Sequence, residues 1–219
     1  MGKRKYILAR ITGKFYELQD YCIDRKVCGM SIRRYVPSIF RDDKAGVGMT
    51  GSEATVYAAL HDIFSAKELK ITAEDSFLDV GCGQGRVLAY LIHKQYPCKI
   101  AGIEINEEVG KMTAQWAAKY PDVKVVVGDA FEHNMDPYTV LFFGRPFLPE
   151  TFKLFLEKLE GDLNHPITFI YHVDQQSKHL LEGRPGWTML MRKQHSKWYG
   201  VPYTKRAQYY SIWRYEPVK

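Results

Sequence analysis

The feature that most constrains the fold of this chain is residues 77–88, FLDVGCGQGRVL, where an apolar run containing Asp79 is followed by three glycines at alternate positions. Such a run, a glycine turn and a stretch of helical periodicity predict a strand, a tight turn and a helix start in immediate succession. Gly81 can take backbone angles that a side chain would forbid, and Gly83 lets a ligand touch the main chain. The helix then points free N–H groups and a partial positive charge into the corner. Residues 81–85, the glycine corner, are therefore predicted to bind a ligand that carries an anionic group.

The spacing of the glycines separates two classes of ligand. Dinucleotide-binding corners prefer the pattern G-x-G-x-x-G. This chain has G-x-G-x-G, with Asp79 two residues before the first glycine. That carboxylate would repel a pyrophosphate, but it could meet an ammonium group. A ligand with both a carboxylate and an amine, such as the amino-acid end of S-adenosylmethionine, therefore fits this corner better.

An acid followed by G-x-G-x-G is also the first motif of the class I S-adenosylmethionine-dependent methyltransferases, and the chain resembles that family from about residue 52 onward. The resemblance implies an α/β fold with a doubly wound, Rossmann-like sheet of seven strands, the last one reversed. It implies S-adenosylmethionine as the cofactor. Asp79 and the backbone of Gly81, Cys82 and Gly83 would hold its methionine end. Methyl transfer of this kind needs no metal, and we expect none.

The second predicted strand, residues 99–105, carries an acid near its end, Glu104, nineteen residues beyond Gly85. An acid about twenty residues after a glycine corner, at the tip of the neighbouring strand, is placed to accept hydrogen bonds from ribose hydroxyls. The alternative is that Glu104 only neighbours the N-cap of a helix beginning near Glu107. We assign Glu104 and the adjacent Ile105 to the cofactor site.

A third predicted strand, residues 123–130, ends in another acid, Asp129. The resemblance implies that Asp129 accepts a hydrogen bond from the exocyclic amine of adenine. The backbone N–H of Ala130 would reach a ring nitrogen. The alternative is an ordinary turn aspartate, which is common after a strand. Acids after three successive strands favour one shared ligand.

Residues 139–147 are predicted to form a fourth strand that runs into a loop, and they end with Arg145, Pro146 and Phe147. In the family this loop faces the transferable methyl group, and nitrogen-methylating members carry Asn or Asp, then Pro, then Pro or an aromatic residue. The resemblance therefore makes these three residues the candidate catalytic loop, with Phe147 attracting a cation over its ring. Arg145 replaces the amide or acid, so it either binds an acidic group of the substrate or lies on the surface.

Two extended runs, residues 187–198 and 206–215, close the chain with a turn and no helix between them, so we expect them to pair antiparallel. This ending matches the reversed strand of the methyltransferase sheet. Aromatic and basic residues alternate in the runs, which suits either stacking on nucleic-acid bases or packing on helices. His172, at the end of the preceding strand, is either a general base or a structural histidine.

The first 50 residues hold eleven basic and five acidic side chains, so they carry the whole formal net charge of +6. Within them, residues 6–34 show helical patches broken by Gly13 and Gly29. We expect residues 1–51 to form a basic, partly helical extension with a loop, and residues 52–219 to form the cofactor-binding domain. A basic extension can contact RNA or an acidic protein, or it can only keep the chain soluble.

The remaining features of the sequence concern the location of the protein and its partners. The sequence has no apolar run of membrane-spanning length, and its start lacks the apolar segment of a signal peptide. Four cysteines without metal-ligand spacing favour reduced thiols, so we expect a cytoplasmic protein without membrane or metal partners. A nicotinamide (NAD(P)) oxidoreductase and a non-catalytic Rossmann-like binding module are the alternatives. The methyl acceptor stays open among protein lysine, RNA and a small molecule.

Overall fold

A computed structural model of the chain describes residues 3–33, 48, 51, 54–195, 197–198, 201–202 and 207–218. Residues 3–10, 197–198 and 201–202 are described by their backbone alone. The helices are α1 (Lys3–Cys28), α2 (Tyr57–Phe64), α3 (Arg86–His93), α4 (Glu107–Ala117) and α5 (Pro149–Asp162). The strands are β1 (Ser76–Val80), β2 (Lys99–Glu104), β3 (Val123–Val127), β4 (Val140–Phe143), β5 (Ile167–His172), β6 (Trp187–Gln194), β7 (Lys197–Trp198), β8 (Val201–Pro202) and β9 (Tyr209–Tyr215).

Seven of these described strands form one sheet in the order β3-β2-β1-β4-β5-β9-β6. Strands β1 to β5 are parallel, and β1 lies between β2 and β4 with Val80 level with Ile103 and Phe143. The chain's last strand, β9, runs antiparallel to both β5 and β6. The predicted α/β Rossmann-like sheet with a reversed last strand is therefore confirmed, as is the antiparallel pairing of the two C-terminal runs. The short strands β7 and β8 pair with each other outside this sheet.

Helices cover both faces of the sheet, which explains why β4 is apolar along its whole length. One apolar core joins Phe142 and Ile170 to the first three helices and α4. The other joins Leu141 and Phe143 to α5. These two cores hold the sheet between the helices. Because β1 to β5 are parallel, their carboxyl ends lie together at one edge of the sheet. This carboxyl edge contains the predicted site.

The N-terminal segment forms one long helix where the sequence suggested a break at Gly13. A Cβ built on Gly13 would meet nothing within 4 Å, so this glycine serves no close approach. The helix ends at Gly29, whose left-handed φ of 77° gives the usual C-terminal stop. The hydroxyl of Tyr120 and the ammonium of Lys119 donate to the last carbonyls, those of Val27 and Cys28. The helical N-terminal extension is thus confirmed, and the division of domains after residue 51 stays a prediction.

In the part of the chain that the structure describes, no helix is both long and apolar enough to span a bilayer. The four cysteines are free thiols, and three of them are buried: Cys28, Cys82 and Cys98.

Candidate active site

The glycine corner is the turn that carries the chain from β1 into α3. Gly81, Gly83 and Gly85 all have positive φ values, of 73°, 53° and 85°. The N–H groups of Gly81 and Cys82 both donate to the carbonyl of Ile103, at 2.9 Å each, which ties the turn to the end of β2. A Cβ on Gly85 would lie 2.6 Å from the ring of Trp116 on α4. The corner therefore needs glycine for its backbone angles and, at Gly85, for space.

Glu104 lies at the end of β2 and faces this corner. Its Oε2 accepts a hydrogen bond of 2.8 Å from the N–H of Gly83, and its Oε1 accepts one of 2.9 Å from Asn106. Burial raises the pKa of Glu104, while the backbone donors lower it. The N-cap of α4 is Asn106, whose side chain accepts from the N–H of Val109. Glu104 therefore contacts both the N-cap residue of α4 and the glycine turn.

Asp79 is the second carboxylate at this corner. Its side chain is only 3% exposed, on β1 next to β2. Burial raises its pKa well above the usual range, and the charge of Glu104 raises it further. Two buried acids so placed favour protons or a cationic ligand. The structure thus brings Asp79, Glu104 and the backbone of residues 81–83 together, as the spacing predicted.

Asp129 and Ala130 follow β3 at the same edge. The N–H of Gly128 donates to the carbonyl of Glu104 at 2.9 Å, so the ends of β2 and β3 are joined. The half-buried Asp129 accepts a hydrogen bond of 2.9 Å from the N–H of Phe131. Ala130 is buried, and Ile105 is half-buried. These residues extend the edge beyond Glu104, on the side away from β4.

The loop after β4 closes the other side of the corner. Pro146 lies so near that a Cβ added to Gly81 would be 2.6 Å from the Cβ of Pro146. Arg145 is half-buried and has a left-handed φ of 57°, which is uncommon for a residue with a long side chain. The structure therefore brings the predicted catalytic loop to the glycine corner through Pro146.

Phe147 lies deeper than the other two residues of this loop. Its ring is 6% exposed and packs against Phe131, Phe143 and Phe155, with centroids 5.2 to 5.6 Å apart. The aromatic ring expected at the acceptor thus belongs mainly to the apolar core beneath it.

His172 is buried near the end of β5, with 3% exposure. Burial lowers its pKa to about 3, and the neighbouring charges of His195 and Arg145 lower it as well, against a hydrogen bond with Gln208. The imidazole is therefore neutral near pH 7. Its Nε2 has no hydrogen-bond partner among the described residues.

Arg86, the first residue of α3, was not among the residues that the sequence indicated. Its guanidinium lies within 3.0 Å of the carboxylates of Asp20 and Asp24 on α1. A signal was available, because acids four residues apart lie on one face of a helix. That spacing does not identify their partner, because Arg86 is 62 residues along the chain from Asp24.

Comparison with known proteins shows what part of this chain is similar to. Residues 77–144 match the family model described as a methyltransferase domain. No curated protein matches the chain. The matched segment runs from β1 to Gly144, the residue after β4, and it includes Asp79, Glu104 and Asp129.

Solved structures share the fold over most of the chain. A methyltransferase from Pyrococcus furiosus is 14% identical with a TM-score of 0.59, over 94% of this chain and 98% of that one. A putative methyltransferase from Escherichia coli is 16% identical with a TM-score of 0.54, over 84% and 100%. An S-adenosylmethionine-dependent methyltransferase from Leishmania major is 16% identical with a TM-score of 0.52, over 72% and 70%. At these identities the likeness is one of fold.

The family match, the strand order and the reversed β9 together favour methyl transfer over nicotinamide chemistry or a non-catalytic module. Over residues 77–144 the chain is therefore similar to a methyltransferase domain, and its sheet has the Rossmann-like order and reversed last strand that the resemblance to class I S-adenosylmethionine-dependent methyltransferases implied.

Proposed function

We propose that S-adenosylmethionine binds across the carboxyl ends of β1, β2 and β3, and that its methyl group passes to an acceptor bordered by the loop after β4. The observation that carries this proposal is the meeting of two buried carboxylates, Asp79 and Glu104, at a glycine turn. Such a corner suits a ligand that offers hydroxyl and cationic groups together with a carboxylate.

The nucleoside would be held by the ends of β2 and β3. The carboxylate of Glu104 would accept hydrogen bonds from the two ribose hydroxyls. Asp129 would accept from the adenine amine, and the N–H of Ala130 would donate to a ring nitrogen. Ile105, half-buried beside Glu104, would contact the adenosine.

The methionine end would lie at the glycine corner. Its carboxylate suits the N–H groups and positive end of α3. Its ammonium group suits Asp79, whose burial and raised pKa disfavour an uncompensated negative charge. The backbone of Gly81, Cys82 and Gly83 would pack directly against this part of the cofactor.

The reaction is a direct displacement at the methyl carbon. A lone pair of the acceptor forms the new bond, the carbon–sulfur bond breaks, and its electron pair stays on sulfur to give S-adenosylhomocysteine. The protein's part is to hold donor and acceptor in line and to exclude water. Pro146 lies against Gly81, so the loop of Arg145, Pro146 and Phe147 borders the methyl position in this proposal.

We also propose that the basic N-terminal segment contributes to binding an RNA or protein acceptor. The segment carries the chain's excess positive charge. It also reaches the acceptor loop, since the N–H of Leu148 donates to the carbonyl of Gly48 at 2.8 Å. An acceptor with acidic groups would meet both Arg145 and this segment.

Two measurements test the proposal. Calorimetry should detect binding of S-adenosylmethionine and S-adenosylhomocysteine and no binding of nicotinamide dinucleotides. Incubation with methyl-labelled cofactor and cell lysate, followed by separate nuclease and protease digestion, should show which class of acceptor holds the label. Tight binding of a nicotinamide cofactor with none of S-adenosylmethionine would refute the proposal, and so would an absence of label in every fraction.

A further inference from the structure

A buried cluster of charged side chains joins α1 to the helix that leaves the glycine corner. Nη1 of Arg86 lies 3.0 Å from Oδ2 of Asp20, and Nη2 lies 2.7 Å from Oδ2 of Asp24. None of the three side chains is more than 4% exposed. Tyr57 donates its N–H to Asp20 at 3.0 Å and its hydroxyl to Asp24 at 2.9 Å, and Ile32 donates its N–H to Asp24 at 3.1 Å. The aspartates are therefore well supplied with donors from α2 and from the end of α1.

A contribution to the stability of the fold does not by itself explain why this cluster consists of charged side chains. A buried ion pair is often no more stabilising than apolar side chains of the same volume, because removing charges from water is costly. Here two acids meet one arginine, and burial raises the pKa of Asp20 although the charge of Arg86 lowers it. What a buried, hydrogen-bonded cluster does supply is one defined geometry, since a guanidinium bonded to two carboxylates fixes both position and orientation.

The glycine corner needs positions fixed from outside, because its three glycines have no side chains to hold the turn. From α4, the hydroxyl of Thr113 donates to the carbonyl of Gly83 at 2.8 Å, and the indole N–H of Trp116 donates to that of Gln84 at 3.2 Å. On the opposite side the chain continues directly from Gly85 into Arg86, which is bound by α1. The turn is thus held between α4 and the N-terminal helix.

We propose that Arg86 is a positioning residue of the cofactor site: through Asp20 and Asp24 it makes the docking of α1 and the binding of S-adenosylmethionine favour one another. The inference rests on the proposed function of the corner. The coupling is reciprocal, because a free energy that links two equilibria acts equally on both. In this proposal α1 acts on cofactor binding through Asp20 and Asp24, which hold Arg86.

Calorimetry on the full-length chain, well below its melting temperature, tests the coupling in one direction. Asp24→Asn keeps the shape of the side chain and removes its charge, and Arg86→Lys keeps the charge and removes the two-armed geometry. Each should raise the Kd for S-adenosylmethionine at least about fivefold, which is the lower range of measured couplings. Lys14→Ala, which breaks the exposed pair with Glu17 on the same helix, should leave the Kd unchanged.

Hydrogen exchange tests the effect of the cofactor on the docking of α1, in the wild-type protein and in Asp24→Asn. Saturating S-adenosylmethionine should slow amide exchange in residues 12–28, and Asp24→Asn should abolish that slowing. If the cofactor leaves α1 exchange unchanged, or if both variants melt at lower temperature yet keep the wild-type Kd, the cluster is structural only and the inference is wrong. A wild-type protein that binds no S-adenosylmethionine would instead refute the proposed function.

Discussion

The carboxylate of Glu104, at the end of β2, accepts a hydrogen bond of 2.8 Å from the N–H of Gly83 in the turn after β1. The acid and the glycine corner are thus joined across two neighbouring parallel strands. This contact leads to the first of four predictions.

Replacing Glu104 by Gln should weaken binding of S-adenosylmethionine at least about tenfold, or about 1.4 kcal/mol. The amide can donate to one ribose hydroxyl but no longer accepts from two, and its NH₂ group cannot accept from Gly83. Calorimetry measures the change. Glu107→Gln is the matched control, because Glu107 lies exposed on α4, where it pairs with Lys111. Equal affinities of the Glu104 and Glu107 variants would remove Glu104 from the site.

Replacing Asp79 by Asn should stabilise the ligand-free protein near pH 7 and weaken cofactor binding. The pKa of Asp79 is raised in the folded protein by burial and then by Glu104, so ionising it costs the folded state. We expect a higher melting temperature for the variant without ligand, and calorimetry should show at least about a tenfold loss of affinity, about 1.4 kcal/mol.

The pH dependence of the stability of Asp79→Asn tests whether the pKa of Asp79 is raised in the folded protein. An acid with a raised folded pKa binds its proton more tightly in the folded chain, so stability falls as pH rises from about 4 to the folded pKa. The advantage of Asp79→Asn should therefore grow with pH across that window and then level off. A variant that melts below the wild type at neutral pH would contradict this explanation.

Gly81→Ala should destabilise the protein by more than about 1 kcal/mol, because its φ of 73° disfavours a side chain. The new Cβ would also lie 2.6 Å from Pro146, which would push the catalytic loop away from the corner. We expect a lower melting temperature together with weaker cofactor binding. Gly161→Ala in α5 is the control, since a Cβ there meets nothing within 4 Å and a helix favours alanine. A Gly81 variant as stable as the control would show that the turn tolerates a side chain.

Arg145→Asn should raise the melting temperature slightly and slow methyl transfer about tenfold while leaving the Kd for the cofactor unchanged. Asn tolerates the left-handed φ of 57° better than Arg does, but it cannot bind an acidic acceptor group. Label incorporation into lysate acceptors and thermal melting measure the two effects. Gln95 has a similar φ of 56° and lies before β2, at the opposite edge of the sheet. As the control, Gln95→Asn should change the melting temperature and leave methyl transfer unchanged. Unchanged transfer by Arg145→Asn would make Arg145 a surface residue.

Much of the fold followed from local patterns. Residues 77–88 predicted β1, its turn and α3 because strand, glycine and helix periodicities occur there in sequence. The bonds of Glu104 to the N–H groups of both Gly83 and Asn106 needed the structure, because spacing along the chain does not show which donors a carboxylate meets. The single helix through Gly13 was also missed, because one glycine lowers helix propensity by only about 1 kcal/mol and tertiary packing outweighs it.

The sequence by itself determined the alternation of parallel strands and helices and the acids near the ends of β1, β2 and β3, because these features depend on spacing between near neighbours. Only the tertiary structure decided that Pro146 lies against Gly81, that Phe147 belongs to the core, and that Arg86 pairs with Asp20 and Asp24. The contacts of Arg86 join residues 62 and 66 positions apart, and no local periodicity encodes them. They form because packing of helices on both faces of the sheet brings distant segments to the same carboxyl edge.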